Sequence, residues 1–451
     1  MTALLAQQSI IADFVISHPE AAIFADPGTG KTRSVIHAVE FLISDLDVTG
    51  VLIIAPLRVA TLTWPGELEK WSHLTYADLR TPEGIRAWNE GTAQVFILNY
   101  EQIPTFAERC LKRRKKIPAN MIIFDESSKT RNPSSVRMKA LASFRHLFKR
   151  FVGLTGTPQP NSALDLFGQI KVLDGGKRLG TSYHSFRAKY AHTTDWLGYQ
   201  WELLPGSEEM IREKIRDMTL VMRGEDWLDL PPVTFEDIDI TLPPTVMANY
   251  KKLQKDLLIE IGKKEVVALT AASLVSKLSQ FCSGQAYRDG EDGRETVPIH
   301  DEKLRALEAL HKKIHHRPLL VFIQFISEGE RIVQHLPQAR MFDGTAAQLE
   351  EWNAGRIPML VAHPKSAGFG LQLQGSCHDV VWYTLGYSAE DHKQGNARII
   401  RIGQKNPVTV YRLLVSKSVD WAQAEVIRGK LEGENALKAA LRCLKLLAES
   451  S

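Results

Sequence analysis

A chain of 451 residues with 44% apolar and 24% charged residues has the make-up of a globular protein of two or three domains. It holds no apolar run of the roughly 20 residues that a membrane-spanning helix needs, and its start, MTALLAQQSI, lacks the basic-then-apolar pattern of a secretory leader. A net charge of +4 is too mild to argue by itself for a polyanionic partner. Four scattered cysteines (Cys110, Cys282, Cys377, Cys443) without a C-x-x-C pair argue against a metal centre or a disulfide framework.

Along the chain, short apolar runs bounded by turn residues alternate with helical stretches. In the first half AAIFAD, VLIIAP, QVFILNY, MIIFDE and FVGLTG read as strands, with the Val, Ile and Phe content of parallel strands covered on both faces. The dense basic run from Lys112 to Lys116 reads as a solvated face. From about Leu203 to Leu310 the pattern is mostly helical, and LDLPPVTFEDIDITLPPTV, with two Pro-Pro pairs, is the best linker candidate. PLLVFIQF, ARMFDG, PMLVAHP, DVVWYTL and PVTVYRLL then repeat the strand grammar. The expected fold class is α/β: two parallel-sheet lobes in tandem, over 1–228 and 301–451, with a linker and helical insertion at 229–300.

The strand AAIFAD runs directly into Ala25-Asp26-Pro27-Gly28-Thr29-Gly30-Lys31-Thr32, and a helix follows. Glycines at 28 and 30 let backbone N–H groups turn inward around phosphates, and the helix N-terminus adds its partial positive charge. Lys31 reaches the β/γ oxygens and the Thr32 hydroxyl suits Mg²⁺. Ala25 stands where the strict G-x-x-x-x-G-K-[ST] pattern has glycine. With the strand before it and the helix after it, this is a nucleotide site.

Further on, the strand MIIF delivers Asp125-Glu126 at its carboxyl end. Asp125 is placed to hold the Mg²⁺ bound by Thr32, and Glu126 to orient and deprotonate an attacking water. The strand-turn Leu154-Thr155-Gly156-Thr157-Pro158 supplies small hydroxyl residues suited to sensing a γ-phosphate. The run from Asp125 to Asn132 (DESSKTRN), then LTGTPQPN from Leu154 and LDLFGQI, resembles the Swi/Snf-type branch of superfamily two helicases in a compact bacterial or phage form. Members usually carry D-E-x-H; Ser128 stands at the histidine position here, and its hydroxyl is expected to bridge toward the Thr155–Thr157 turn.

In the second half, Gln394-Gly395-Asn396-Ala397-Arg398-Ile399-Ile400-Arg401-Ile402-Gly403-Gln404 resembles the family's sixth motif, commonly Q-A-x-D-R-x-H-R-I-G-Q. The spacing of Arg398 and Arg401 predicts a helix that presents both on one side. The resemblance makes them arginine fingers on the γ-phosphoryl group, so that hydrolysis depends on lobe closure. Gln394 would share in the coupling, while Ala397 and Ile400 replace an acid and a histidine. The segment from Ser366 to Leu373 resembles the fifth motif, with Gly370 toward the nucleotide and Ser366 toward the nucleic acid. Ala55-Pro56-Leu57-Arg58, Asn99-Tyr100-Glu101, Leu230-Pro231-Pro232 and Gln324-Phe325 are also family-like.

The resemblance runs from the phosphate loop to about Leu414 and implies two RecA-like lobes using ATP and Mg²⁺. The catalytic set is Lys31, Glu126, Arg398 and Arg401, with an adenine contact from Gln7 or, by preference, Gln8. It further implies duplex DNA tracked through Arg58, Asn99, Tyr100, Gln324 and Ser366. Contacts to phosphate and sugar make such binding sequence-tolerant and salt-sensitive. Translocation without strand separation is the favoured activity. A strand-separating DNA or RNA helicase is an alternative, and a nucleotide-switched DNA-binding module, supported by Ser128, Ala397 and Ile400, is another. A monomer in the cytoplasm of a bacterial or phage-infected cell, on the nucleoid and brought there by a recruiting protein or by DNA structure, completes the expectation.

Overall fold

Among the residues described by the computed structural model (3–112, 117–156, 158–159, 162–193, 201–227, 230–263, 268–290, 293–364, 372–386 and 388–428), the chain divides into two units, Met1–Leu228 and Asp229–Ser451. The first unit builds its sheet from β1 (Glu20–Ala25), β2 (Val51–Ala55), β3 (Tyr76–Asp78), β4 (Val95–Asn99), β5 (Met121–Asp125) and β6 (Arg150–Thr155). After a short antiparallel hairpin, β7 (Ala191–Thr193) and β8 (Trp201–Leu203), the strand β9 (Thr219–Met222) completes it.

The order across this sheet is β3-β4-β2-β5-β6-β1-β9, with every pairing parallel. β2, which follows β1 in the chain, is separated from it by β5 and β6. That insertion sets the carboxyl ends of β5, β6 and β1 side by side, at the edge where open α/β sheets hold ligands. The middle strands are buried on both faces, as their unbroken Val, Ile and Leu runs require. One face is covered by an edge-to-face aromatic series, Trp88–Phe106–Phe144–Phe148, each pair adding about 0.5–1.5 kcal/mol to its burial. Arg150 pins the helix α1 (Ala6–Ser17) to β6, its guanidinium donating to the carbonyls of Val15 at 2.8 Å and Ile16 at 2.6 Å and to Asp47 at 2.6 Å.

The second unit carries β10 (Val233–Ile240), the antiparallel hairpin β11 (Gln285–Gly290) and β12 (Gly293–Pro298), then β13 (Leu319–Phe322), β14 (Ala339–Met341), β15 (Met359–Ala362), β16 (Asp379–Trp382) and β17 (Val408–Val415). Its main sheet is also parallel throughout, in the order β10-β17-β16-β13-β15-β14.

The segment 229–300 differs from the expected linker and helical insertion. β10 pairs with β17 along its whole length, from Val233↔Val408 to Ile240↔Val415. The two Pro-Pro pairs bracket this strand, which fits, because proline stops a ladder at its ends and is excluded from its interior. The helices Pro244–Lys263 and Ala268–Cys282 place Tyr250, Leu274, Val275 and Leu278 in the second unit's core. Residues 229–300 are thus part of the second lobe's body, and the stretch read as mostly helical contains β9, β10 and the β11–β12 hairpin.

Candidate nucleotide-binding and hydrolysis site

β1 ends at Ala25 and the helix α2 (Lys31–Ser44) begins six residues later. Gly28 and Gly30 turn the loop with φ of 89° and 86°, a region open to glycine at little cost. Gly30 has a second reason to be glycine, since a Cβ there would lie 2.3 Å from the Gln8 side-chain nitrogen. Of the two candidate glutamines, Gln8 is therefore the one that packs on the phosphate loop. Its Oε1 accepts from Leu5 N at 3.0 Å, which leaves the amide nitrogen facing Gly30.

The loop is braced by its own carbonyls. Thr29 Oγ1 donates to Asp26 O at 2.8 Å, and Lys31 Nζ donates to Ala25 O at 2.6 Å and Asp26 O at 3.1 Å. Asp26 ties it to the end of β9 and the residues just beyond, with its N–H on Met222 O at 3.0 Å and its carboxylate accepting from Gly224 N at 2.9 Å. Pro27 packs against the turn after β6: a Cβ on Gly156 would come within 3.0 Å of Pro27 Cδ.

Asp125 closes β5. Its Oδ2 accepts from the indole Nε1 of buried Trp64 at 2.9 Å and its Oδ1 from Glu126 N at 3.0 Å. Glu126 adopts φ 54°, a left-handed conformation that costs a non-glycine residue about 1–3 kcal/mol and clusters at active sites. Thr155 Oγ1 lies 3.5 Å from Glu126 Oε2, so the acidic pair and the turn after β6 meet directly. Mg²⁺ prefers one or two carboxylates plus phosphate and water oxygens over an all-protein cage. Thr32, in the first turn of α2 after β1, and Asp125, at the end of β5, offer a hydroxyl and a carboxylate. The donor set fits that ion.

Two of the expected assignments change here. Tyr100 is 1% exposed, and its hydroxyl donates to the Asp125 carbonyl at 2.8 Å. Burial, then the charges of Asp125 and Glu126, push its phenol well above the usual range, so it stays a donor. It buttresses the acidic turn; its ring is not exposed to a nucleic-acid backbone. Ser128 is 4% exposed and its hydroxyl forms no hydrogen bond among the described residues. Its neighbour Ser127 makes the cross-link instead, donating to Gln169 Oε1 at 3.1 Å.

In the second unit the helix Ala389–Asn396 stops before the arginines. Arg398 and Arg401 lie in the turn that follows, held by Arg398 N→Gly395 O at 3.1 Å and Arg401 N→Ile399 O at 3.1 Å, so a turn and not a helix presents them. Arg398 and Gln394 are buried and Arg401 is half-buried. The helix docks on Trp382. His392 stacks on that indole at 3.6 Å, Trp382 Nε1 donates to Asn396 Oδ1 at 3.0 Å, and a Cβ on Gly395 would press the ring at 3.0 Å.

Of the other expected DNA contacts, Arg58 is half-buried just beyond β2, and Asn99 is buried with its Nδ2 donating to Glu101 at 2.8 Å. Gln324 is half-buried, in a turn whose N–H groups at 324 and 325 donate to Glu328 Oε2 at 2.8 and 3.1 Å. Thr157, Ser366, Gly370 and residues 113–116 of the basic run lie outside the described residues. Trp64, Ser127 and Gln169 escaped the sequence reading; LDLFGQI carried Gln169, but only as part of a resemblance.

The SNF2-related domain family matches residues 15–283. Protein p41 of Acyrthosiphon pisum secondary endosymbiont phage 1 is 31% identical over 453 residues, covering 96% of each chain. An uncharacterized ATP-dependent helicase of Mycoplasma pneumoniae is 24% identical over 91% of this chain, and the ATP-dependent helicase/translocase YwqA of Bacillus subtilis 23% identical over 89%. This chain spans only 39% and 44% of those two proteins. A solved Sulfolobus solfataricus SWI2/SNF2 ATPase core in complex with dsDNA aligns with 98% of this chain and 94% of its own, at 20% identity and a TM-score of 0.47. With a family match over more than half its length and a relative above 30% identity along nearly all of it, this chain belongs to the SNF2-related family, the Swi/Snf-type branch of superfamily two helicases.

Proposed function

We propose that this chain is a DNA-stimulated ATPase that translocates along duplex DNA, hydrolysing ATP to ADP and phosphate without reading sequence or separating the strands. The observation that carries the reading is the meeting of three motifs at the carboxyl ends of three neighbouring strands. The phosphate loop follows β1, the acidic pair ends β5, and Thr155 at the end of β6 reaches Glu126 at 3.5 Å.

In this reading the loop amides and Lys31 hold the triphosphate, and Gln8 faces the adenine side of the loop. Glu126 orients the attacking water and takes its proton; Asp125 and Thr32 would hold Mg²⁺, which would supply positive charge to the phosphates. Trp64 and Tyr100 keep the acidic turn in place through the Asp125 carboxylate and carbonyl. Arg398 and Arg401 of the second unit serve as the fingers that stabilise the transferring group. The duplex as track follows from family membership. Arg58, Gln324 and Ser366 remain the proposed backbone contacts.

The test is steady-state ATP hydrolysis with no nucleic acid, duplex DNA, single-stranded DNA and RNA. Strongest stimulation by duplex is the expected outcome, and Glu126→Gln should bind ATP but lose turnover. Greater stimulation by single strands or RNA would favour a strand-separating helicase. Equal rates in all four conditions would leave the nucleotide-switched module.

A further inference from the structure

Gln169 sits in the helix Leu166–Asp174 with none of its surface exposed. A buried amide is tolerated only when its donors and acceptor are met, and this one is met by two separate turns. Its Oε1 accepts from Ser127 Oγ at 3.1 Å, while its Nε2 donates to Pro158 O at 2.5 Å and to Asp165 O at 3.2 Å. The orientation of the amide follows from chemistry. Two carbonyl oxygens face one end, so that end must be the NH₂ group; turned over, oxygen would oppose oxygen.

Each contact has a fixed base. Asp165 is the helix's own N-cap, and the Ser127 carbonyl is held by Thr130 Oγ1 at 2.7 Å. The helix approaches so closely only because residue 168 is glycine: a Cβ there would fall 2.5 Å from Thr130 O and 2.4 Å from Arg131 O. Ser127 directly follows the acidic pair, and Pro158 belongs to the turn that begins at Thr155-Gly156. One side chain thus spans from the turn that carries Glu126 to the turn that senses phosphate.

We propose that Gln169 and Ser127 are the positioning pair that transmits γ-phosphate occupancy from the acidic turn to the turn after β6. This amide bridge takes the place of the histidine that Ser128 replaces. The inference rests on the ATPase reading above. Gln169 is fully buried, so it acts on the site only through the two turns it joins. Because its bonds to both turns are short and its surroundings closed, a displacement of Ser127 either drags the Pro158 segment or breaks the bridge.

The experiment is amide hydrogen exchange on the full chain with Mg-ADP, with and without beryllium fluoride as the γ-phosphate mimic. Titration of a fluorescent ATP analogue runs alongside. In the natural protein the mimic should add protection at residues 126–131 and 154–159 together. Gln169→Met should keep analogue affinity within about threefold, since the bridge contacts no phosphate, and keep protection at 126–131 while losing most of it at 154–159. Ser127→Ala should behave alike and Ser127→Thr should retain the natural pattern, which keeps the test intact should Gln169→Met fold poorly. Full protection of both segments in Gln169→Met or Ser127→Ala would overturn the relay alone. So would protection of only the first segment in the natural protein. A chain that binds no nucleotide would overturn the ATPase reading and the relay with it.

Discussion

Asp125 illustrates what a single residue owes to distant neighbours. Its half-buried carboxylate is aimed by Trp64, 61 residues earlier, whose indole is buried. Partners of this kind typically set metal affinity by 10–100-fold when removed. Trp64→Phe keeps most of the ring and loses the donor, so the Mg²⁺ concentration for half-maximal ATP turnover should rise by about tenfold. A Mg²⁺ titration at saturating ATP measures this, and an unchanged midpoint would reduce Trp64 to packing. At this scale the proposed catalytic residues could be named from the sequence because each motif is contiguous and sits between a recognisable strand and turn. Trp64, Ser127 and Gln169 could not, because the bonds Trp64–Asp125 and Ser127–Gln169 join residues 61 and 42 positions apart. Nothing in a local pattern marks such a pair.

Among the elements, the helix Ala389–Asn396 shows how packing sets both position and charge. Stacked on Trp382 and buried, His392 is pushed down to about 3 by desolvation and then by Arg412. His300, buried against Phe281 O, is pushed down to about 4, first by desolvation and then by the nearby charges of Lys303 and Arg331. Both values lie below the roughly 6.5 of an unfolded chain, so the unfolded state binds more protons between them. The stability is whole above pH 6.5 and falls as the pH drops toward 4, by about 2 kcal/mol per histidine at pH 5. Urea unfolding of the natural chain and of His392→Phe at pH 8 and pH 5 tests this. The variant should lose about half of the two histidines' combined dependence, and an undiminished slope would mean that His392 is charged when folded. Element types were largely readable: every apolar run named as a strand forms one. β10 was misassigned because its Pro-Pro flanks outweighed an alternating V-T-F-E-D-I-D-I pattern that suits an edge strand with one face in solvent.

For the molecule as a whole, the phosphate loop and acidic pair belong to the first unit, while the arginines belong to the second. If Arg401 is a finger, Arg401→Ala should lower ATP turnover by roughly 10³ with ATP binding retained. A loss under about tenfold, measured with duplex DNA present, would reassign it. The described residues contain no helix long and apolar enough to cross a membrane.

By itself the sequence determined the α/β class, two parallel lobes, and the order of the motifs that identify the family, because buried strands and phosphate loops are written in consecutive residues. Tertiary structure decided which of those residues stand opposite one another. It placed β5 and β6 between β1 and β2, made β10 the edge strand of the second unit's sheet, and joined two turns through Gln169. The physical reason is that neighbours in a parallel sheet are joined by crossovers of a dozen or more residues, so the partners of a strand are not written next to it in the chain. Hydrogen bonds between side chains brought together by folding leave no periodicity behind.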